Sequence, residues 1–201
     1  MAQPIEFFFD FSSPYGYIGS RLIDDLATRH GRTVVWKPIL LGAIFKTTGM
    51  APLVDIPLKG DYVKRDFPRT AAFHGVTDFR LPDPFPFPSI AAVRAFYWLE
   101  RTDPARARDL ARALFTASFC EGRDIAPAEM VAEVAQGIGI GKDALLTAIA
   151  TPEVKDKVRV ENDVAMTKGV FGSPYLIIDE EPFWGVDRFD QAEKWLKTGG
   201  W

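Results

Sequence analysis

The chain opens on a short, nearly continuous apolar run, Ile5-Glu6-Phe7-Phe8-Phe9-Asp10, which is followed by turn residues and so predicts a buried strand. Ser12-Ser13-Pro14 comes next, a hydroxyl residue ahead of a proline that suits the first helical position. Ile18, Leu22, Ile23 and Leu26 then recur at spacings of three and four, predicting a helix to about Arg29. His30-Gly31 ends it, the glycine supplying a left-handed cap. Residues 33–38, Thr-Val-Val-Trp-Lys-Pro, return as a second strand. Strand, helix and strand in this order form a βαβ unit with parallel strands.

The pattern changes across residues 41–168. Ala-rich runs at 89–101 and 104–118, and further runs at 129–135 and 142–149, carry helical spacing. Between the first of them and the opening unit lies a proline-dense loop, residues 81–88, which suits neither a helix interior nor a central strand. The end returns to β-type sequence: a strand at 174–179, a tight turn at Glu180-Glu181, a strand at 182–185 and a closing helix at 190–197. The order predicts an α/β protein with a thioredoxin-like βαβ…ββα core. Residues 1–40 and 169–201 would form that core as a discontinuous domain, with 41–168 as an all-helical insertion.

Composition narrows the partners. A formal net charge of −3 provides no basic field for tracking phosphates, so nucleic acid is not expected as a partner. No apolar stretch approaches the ~20 residues that span a bilayer, and no basic segment with an apolar run opens the chain, so a cytoplasmic protein without a membrane role is expected. The single cysteine, Cys120, rules out an internal disulfide and a cysteine-based zinc cluster. It reads as a half-buried small residue rather than a nucleophile. The 16 Phe and 5 Trp admit two readings, an aromatic core or a pocket for a flat apolar ligand.

Three sites carry candidate chemistry. Ser13-Pro14-Tyr15-Gly16 occupies the strand-to-helix turn where a thioredoxin-type fold places C-P-x-C, and both sulfur positions are empty. Thiol–disulfide exchange therefore fails. Ser13 reads as a helix N-cap, and the same helix end also suits a ligand's thiolate. Ser173-Pro174 precedes the third strand, where a cis proline would expose the backbone of Ser173 to an extended peptide. Trp184-Gly185-Val186-Asp187-Arg188 lies between the last strand and last helix, and Asp187 there suits either an N-cap or an α-ammonium ligand. His30 and His74, each beside a glycine, read as helix ends.

Together, Phe9-Asp10-Phe11-Ser12-Ser13-Pro14-Tyr15, Phe171-Gly172-Ser173-Pro174 and Trp184-Gly185-Val186-Asp187-Arg188 resemble the 2-hydroxychromene-2-carboxylate isomerase family. That family is related to kappa-class glutathione transferases and more distantly to DsbA-like oxidoreductases. Thr48-Gly49 and the series Pro57, Lys59, Tyr62, Asp66, Arg69 extend the likeness. The resemblance implies bound glutathione, with its sulfur beside Ser13 and its cysteinyl backbone on Ser173, ahead of cis Pro174. It places Asp187 and the Val186 backbone at the γ-glutamyl end and brings Lys59 to a carboxylate. One departure is Met50, where relatives often carry an asparagine. A thioether cannot make an amide's paired hydrogen bonds.

The implied reaction interconverts 2-hydroxychromene-2-carboxylate and trans-o-hydroxybenzylidenepyruvate, a step of aromatic hydrocarbon (naphthalene) catabolism, by reversible thiolate addition. Partners would be glutathione, a small aromatic substrate and a second copy in a homodimer. A kappa-like transferase and a non-catalytic glutathione- or peptide-binding module are the alternatives. Lys64, Arg65 and Arg69 read first as solvated helix charges; they are also the cations available for the anionic side of the substrate, and spacing does not choose among them.

Overall fold

The structure, a computed structural model, describes residues 3–201. In chain order the elements are β1 (Ile5–Phe9), α1 (Pro14–Arg29), β2 (Val34–Pro38), α2 (Leu41–Thr48) and a 3₁₀ turn (Leu53–Asp55). There follow α3 (Lys59–Phe73), α4 (Ile90–Glu100), α5 (Pro104–Phe119), α6 (Ala128–Gly137), α7 (Lys142–Ile149) and α8 (Pro152–Thr167). The chain closes with β3 (Tyr175–Ile178), β4 (Glu181–Trp184), a 3₁₀ turn (Val186–Arg188) and α9 (Phe189–Thr198). The sheet order is β2-β1-β3-β4; β1 and β2 are parallel, and β3 runs antiparallel to both its neighbours. This is the thioredoxin-type arrangement, with helices α2 to α8 between β2 and β3.

Central placement explains why β1 reads as nearly continuous apolar sequence rather than alternating, since both its faces are covered. Phe7 and Phe9 stack with ring centroids 5.1 Å apart on one face, where Phe9 also meets Trp36 of β2, Phe96 of α4 and Phe115 of α5. Phe8 points to the other face, against Ile44 of α2, Ala165 of α8 and Val170. Burying each such ring contributes ~1.5–3 kcal/mol. Of the two readings of the phenylalanines, the core accounts for most of them.

Two local expectations are corrected. The hairpin turn is Asp179-Glu180, one residue earlier than predicted, with φ of 51° and 74° at those positions. Positive φ at both central residues is what a two-residue turn needs to match strand twist, and Glu181 is thereby released into β4. Nor does Asp187 cap α9. The N-cap is Arg188, without a side-chain cap bond, because the 3₁₀ turn carries the chain into the helix. Helices α2, α3 and α8 arise inside the expected helical block, although their limits were not individually legible. In α3, Pro68 sits within the helix. His30 and His74 do end helices, as C-caps of α1 and α3. Among the described residues no helix is long and apolar enough to cross a membrane, and no metal-binding group of side chains is found.

Candidate active site

The start of α1 is fastened from below. As β1 ends, Asp10 turns inward and is 2% exposed. Its Oδ1 accepts from Ser12 N at 2.8 Å and Ser12 Oγ at 2.9 Å, and its Oδ2 accepts from Leu41 N at 2.7 Å. One carboxylate thus holds the turn before α1 to the first residue of α2. Burial pushes its pKa up, against the pull of the hydrogen bonds from Ser12 and Leu41. The backbone N–H of Asp10 donates to Ser173 Oγ at 3.0 Å, which fastens the loop before β3 to the same point.

Ser13 stands on this base, 8% exposed, with φ −94° and ψ 113°. Its Oγ accepts from Gly16 N at 3.0 Å, which makes it the N-cap of α1. The same hydroxyl donates to the carbonyl of Ser173 at 3.1 Å. The Ser173–Pro174 bond is cis, as the sequence suggested. The approach is close: a Cβ on Gly16 would lie 2.6 Å from Ser173 Oγ, and one on Gly19 would lie 3.1 Å from Pro174 Cβ. Only glycines let α1 come this near.

The third motif joins the same cluster. Gly185 N donates to Pro174 O at 3.0 Å, and the indole of Trp184 lies over Gly172, where a Cβ would meet Nε1 at 2.1 Å. Phe171 packs on Trp184 with centroids 4.8 Å apart. Val186 is buried, whereas the Asp187 side chain is 69% exposed and its Oδ2 accepts from Arg188 Nη1 at 2.9 Å. Ser13, Ser173, Pro174 and the 184–188 segment are therefore one assembly.

Lys59 is not part of that assembly. It is exposed at the first turn of α3, and the connection to Ser13 runs through Tyr15. The Tyr15 phenol donates to Asp66 Oδ2 at 2.5 Å, and Asp66 also accepts from Thr70 Oγ1 at 3.2 Å and from Arg69. Tyr62 Oη donates to Asp66 Oδ1 at 3.3 Å and accepts from Arg69 Nη2 at 3.1 Å. Burial and then the Asp66 bond raise the Tyr15 pKa, so the phenol keeps its proton. Burial would raise the Asp66 pKa, but the bonds from Tyr15, Arg69 and Thr70 outweigh it and hold the carboxyl below its usual range. Tyr15 also packs on Phe67 at 5.1 Å, and Phe67 on Phe85 of the proline-dense loop at 6.0 Å. That loop thus reaches the site through Phe85.

Two contributors escaped sequence reasoning. Asp10 was in view as part of a motif, and the serine two residues later is a signal for a local side-chain-to-backbone turn. The Tyr15–Asp66 bond links residues 51 apart and has no local signature. Cys120 is half-buried, its Sγ 2.9 Å from Tyr17 Oη, and burial raises the thiol pKa, which disfavours the thiolate. Met50 is 39% exposed, just beyond α2.

A thioredoxin-type fold with serine in place of the redox cysteine, facing a cis proline, defines the class. The chain belongs to the DSBA-like thioredoxin domain family, which it matches over residues 4–197. It is 30% identical to the 2-hydroxychromene-2-carboxylate isomerase of Sphingobium xenophagum over 202 residues, covering 98% of this chain and 99% of that protein. It is also 30% identical to glutathione S-transferase kappa 2 of Caenorhabditis elegans, covering 96% and 91%. A solved 2-hydroxychromene-2-carboxylate isomerase superposes with a TM-score of 0.86 at 25% identity, over 97% of this chain and 95% of that one. The relatives are thus named as isomerases and glutathione transferases, and their sequences align along almost the whole of this chain.

Proposed function

We propose that the protein is a glutathione-dependent isomerase that interconverts 2-hydroxychromene-2-carboxylate and trans-o-hydroxybenzylidenepyruvate. The observation that carries this reading is the Ser13 hydroxyl at the N-terminus of α1, hydrogen-bonded to the carbonyl of the residue before a cis proline. The donor set suits a tripeptide with one ammonium, one thiol and two carboxylates. Asp187 offers an exposed carboxylate, Lys59 an exposed ammonium, and the start of α1 a positive dipole end. When bound, glutathione would supply a thiolate that adds reversibly to the conjugated carbon, freeing the former double bond to rotate.

The chain's own residues then have separate tasks. Ser173, ahead of the cis proline, would offer its backbone to the cysteinyl part of glutathione, with the Ser173 carbonyl as acceptor. The Ser13 hydroxyl has a single proton, so it would serve a neighbouring sulfur by rotating away from this carbonyl, which keeps a peptide N–H as its partner. The helix end stabilises negative charge there by ~0.3–1 kcal/mol, up to ~2 where partly buried. At ~1.36 kcal/mol per unit, that lowers a thiol pKa from ~8.5 by roughly one unit before the hydroxyl contributes. Asp187, with the Val186 backbone, would take the γ-glutamyl end and Lys59 a carboxylate.

The test is turnover of 2-hydroxychromene-2-carboxylate with glutathione, followed together with the free-thiol concentration. The expected result is isomer interconversion at constant thiol. Stoichiometric thiol loss would identify a kappa-like transferase instead, and glutathione binding without turnover a binding module. Ser13→Ala removes a bond to a charged group of ~1.5–3 kcal/mol. It should raise the bound thiol's pKa by about one to two units and slow neutral-pH turnover ~10- to 100-fold. Parent-like turnover at every pH would reduce Ser13 to a helix cap.

A further inference from the structure

We propose that Arg69 takes the carboxylate of the second substrate, a conjugated 2-oxo acid with an aromatic body, and that Lys64 and Arg65 do not. The proposal rests on the isomerase reading for the identity of that substrate. It is carried by the bonds that tie Arg69 through Asp66 to Tyr15.

At about 100° per residue, the buried residues Gly60, Val63, Phe67 and Ala71 define the inner stripe of α3. Lys59 and Asp66 fall on one flank of it and Lys64 on the other, with Tyr62, Arg69 and Arg65 round on the outer face. Tyr15, two residues beyond Ser13, bonds to Asp66, and Asp66 in turn holds Arg69, so of the three cations Arg69 is the one bonded back to the start of α1 among the described residues. Lys59, the anion site expected for a glutathione carboxylate, lies on the same flank as Asp66.

Arg69 is also oriented, as a binding group needs to be. Asp66 holds it from behind, and its guanidinium lies 5.5 Å from the Tyr62 ring centroid, a cation–π contact. Both of its hydrogen bonds leave from Nη2, so Nη1 and Nε retain three N–H donors without a partner among the described residues. The side chain is 61% exposed and so open to a ligand. Tyr15, which shares Asp66 with it, forms a contiguous aromatic group with Phe67 and Phe85, and Tyr15 and Phe85 are only half-buried. A planar acid would rest its ring on that group and direct its carboxylate to Arg69, whose fork matches two carboxylate oxygens.

The test measures equilibrium binding of 4-phenyl-2-oxobutanoate, which has no conjugated carbon–carbon double bond for a thiol to add across, beside its methyl ester. Both are titrated without and with glutathione. Arg69→Gln should weaken acid binding about tenfold and leave the ester unchanged, while Arg69→Lys, which keeps charge but not the fork, should lose about threefold. Lys64→Gln and Arg65→Gln should stay within about twofold of the parent, the range of solvated charges. Glutathione affinity of Arg69→Gln should match the parent. The proposal is overturned if Arg69→Gln binds the acid like the parent, if acid and ester suffer equally, or if Arg65→Gln shows the largest loss. A parent that prefers acid to ester through Arg69 yet never binds glutathione would sink the isomerase reading and leave the carboxylate site standing.

Discussion

Two regions meet at Ser13 and are built on opposite plans. Beneath it, Asp10, Ser12, Ser13 and Ser173 form a compact polar knot at the end of β1, with Asp10 and Ser13 almost wholly buried. Beside it, the Lys59–Arg69 flank of α3 carries its charge on an exposed surface. Buried polar groups are costly unless satisfied, so the knot can exist in essentially one arrangement. An exposed flank tolerates change because water replaces any partner it loses. On the proposed function the contrast divides the work: the knot would fix where chemistry occurs, and the flank would decide what is admitted. Substitutions in the two regions should therefore fail in different ways.

The largest effect should come from Asp10. Asp10→Ala leaves the Ser12 and Leu41 N–H groups without their acceptor in a buried setting, at ~1–3 kcal/mol each. A total loss of about 3 kcal/mol in denaturant unfolding is expected, with glutathione binding impaired in the protein that still folds. An Asp10→Ala protein as stable as the parent would show that the knot is ornamental, and the contrast with α3 would collapse.

A smaller but sharper test uses the close approach of α1. Gly16→Ala brings a methyl group to within 2.6 Å of Ser173 Oγ, an overpacking expected to cost ~1–3 kcal/mol. Ser173→Ala alone removes the acceptor of Asp10 N–H and should cost about 1–2 kcal/mol. Combined, the two should cost clearly less than their sum, because the second removes the atom that the first strikes. Simple additivity would mean that Gly16 and Ser173 do not touch in solution.

The same contrast explains what the sequence made legible. β1, α1, β2 and the closing hairpin were readable because local pattern and caps agree, as in Ser13-Pro14 and the Phe7-Phe8-Phe9 run. The cis Ser173–Pro174 bond could be anticipated from its place ahead of a strand. Within the insertion α4 to α7 were legible one by one, whereas α2, α3 and α8 were legible only as part of the block; α3 contains Pro68 and has no side-chain cap at Leu58. The hairpin turn was misplaced by one residue because Asp179 and Glu180 carry positive φ without a glycine to announce it. The links that assemble the site are tertiary. Ser13 to Ser173 spans 160 positions and Tyr15 to Asp66 spans 51, so no local window contains either pair.

The smallest effect should come from the strut that joins the two regions, and its signature lies in pH rather than in size. Tyr15→Phe keeps the ring against Phe67 and removes only the phenol's bond to Asp66. At neutral pH the stability loss should be about 1 kcal/mol, the net contribution of an ordinary hydrogen bond and less than that of a bond to an unsupported charge, because Asp66 keeps Thr70 and Arg69. Asp66 has a folded-state pKa below its ordinary value, so its contribution is present above the unfolded pKa and is lost as pH falls through the folded one. Without Tyr15 the folded pKa moves back toward the ordinary value. Stability attributable to Asp66 should then be smaller at neutral pH, and its acid loss should begin and end over a narrower window. Thermal melts of parent and Tyr15→Phe from neutral pH downward should converge as Asp66 becomes protonated in both. Parallel curves across that whole range would mean that the phenol does not bond the carboxylate, and would leave the α3 flank without its tie to the start of α1.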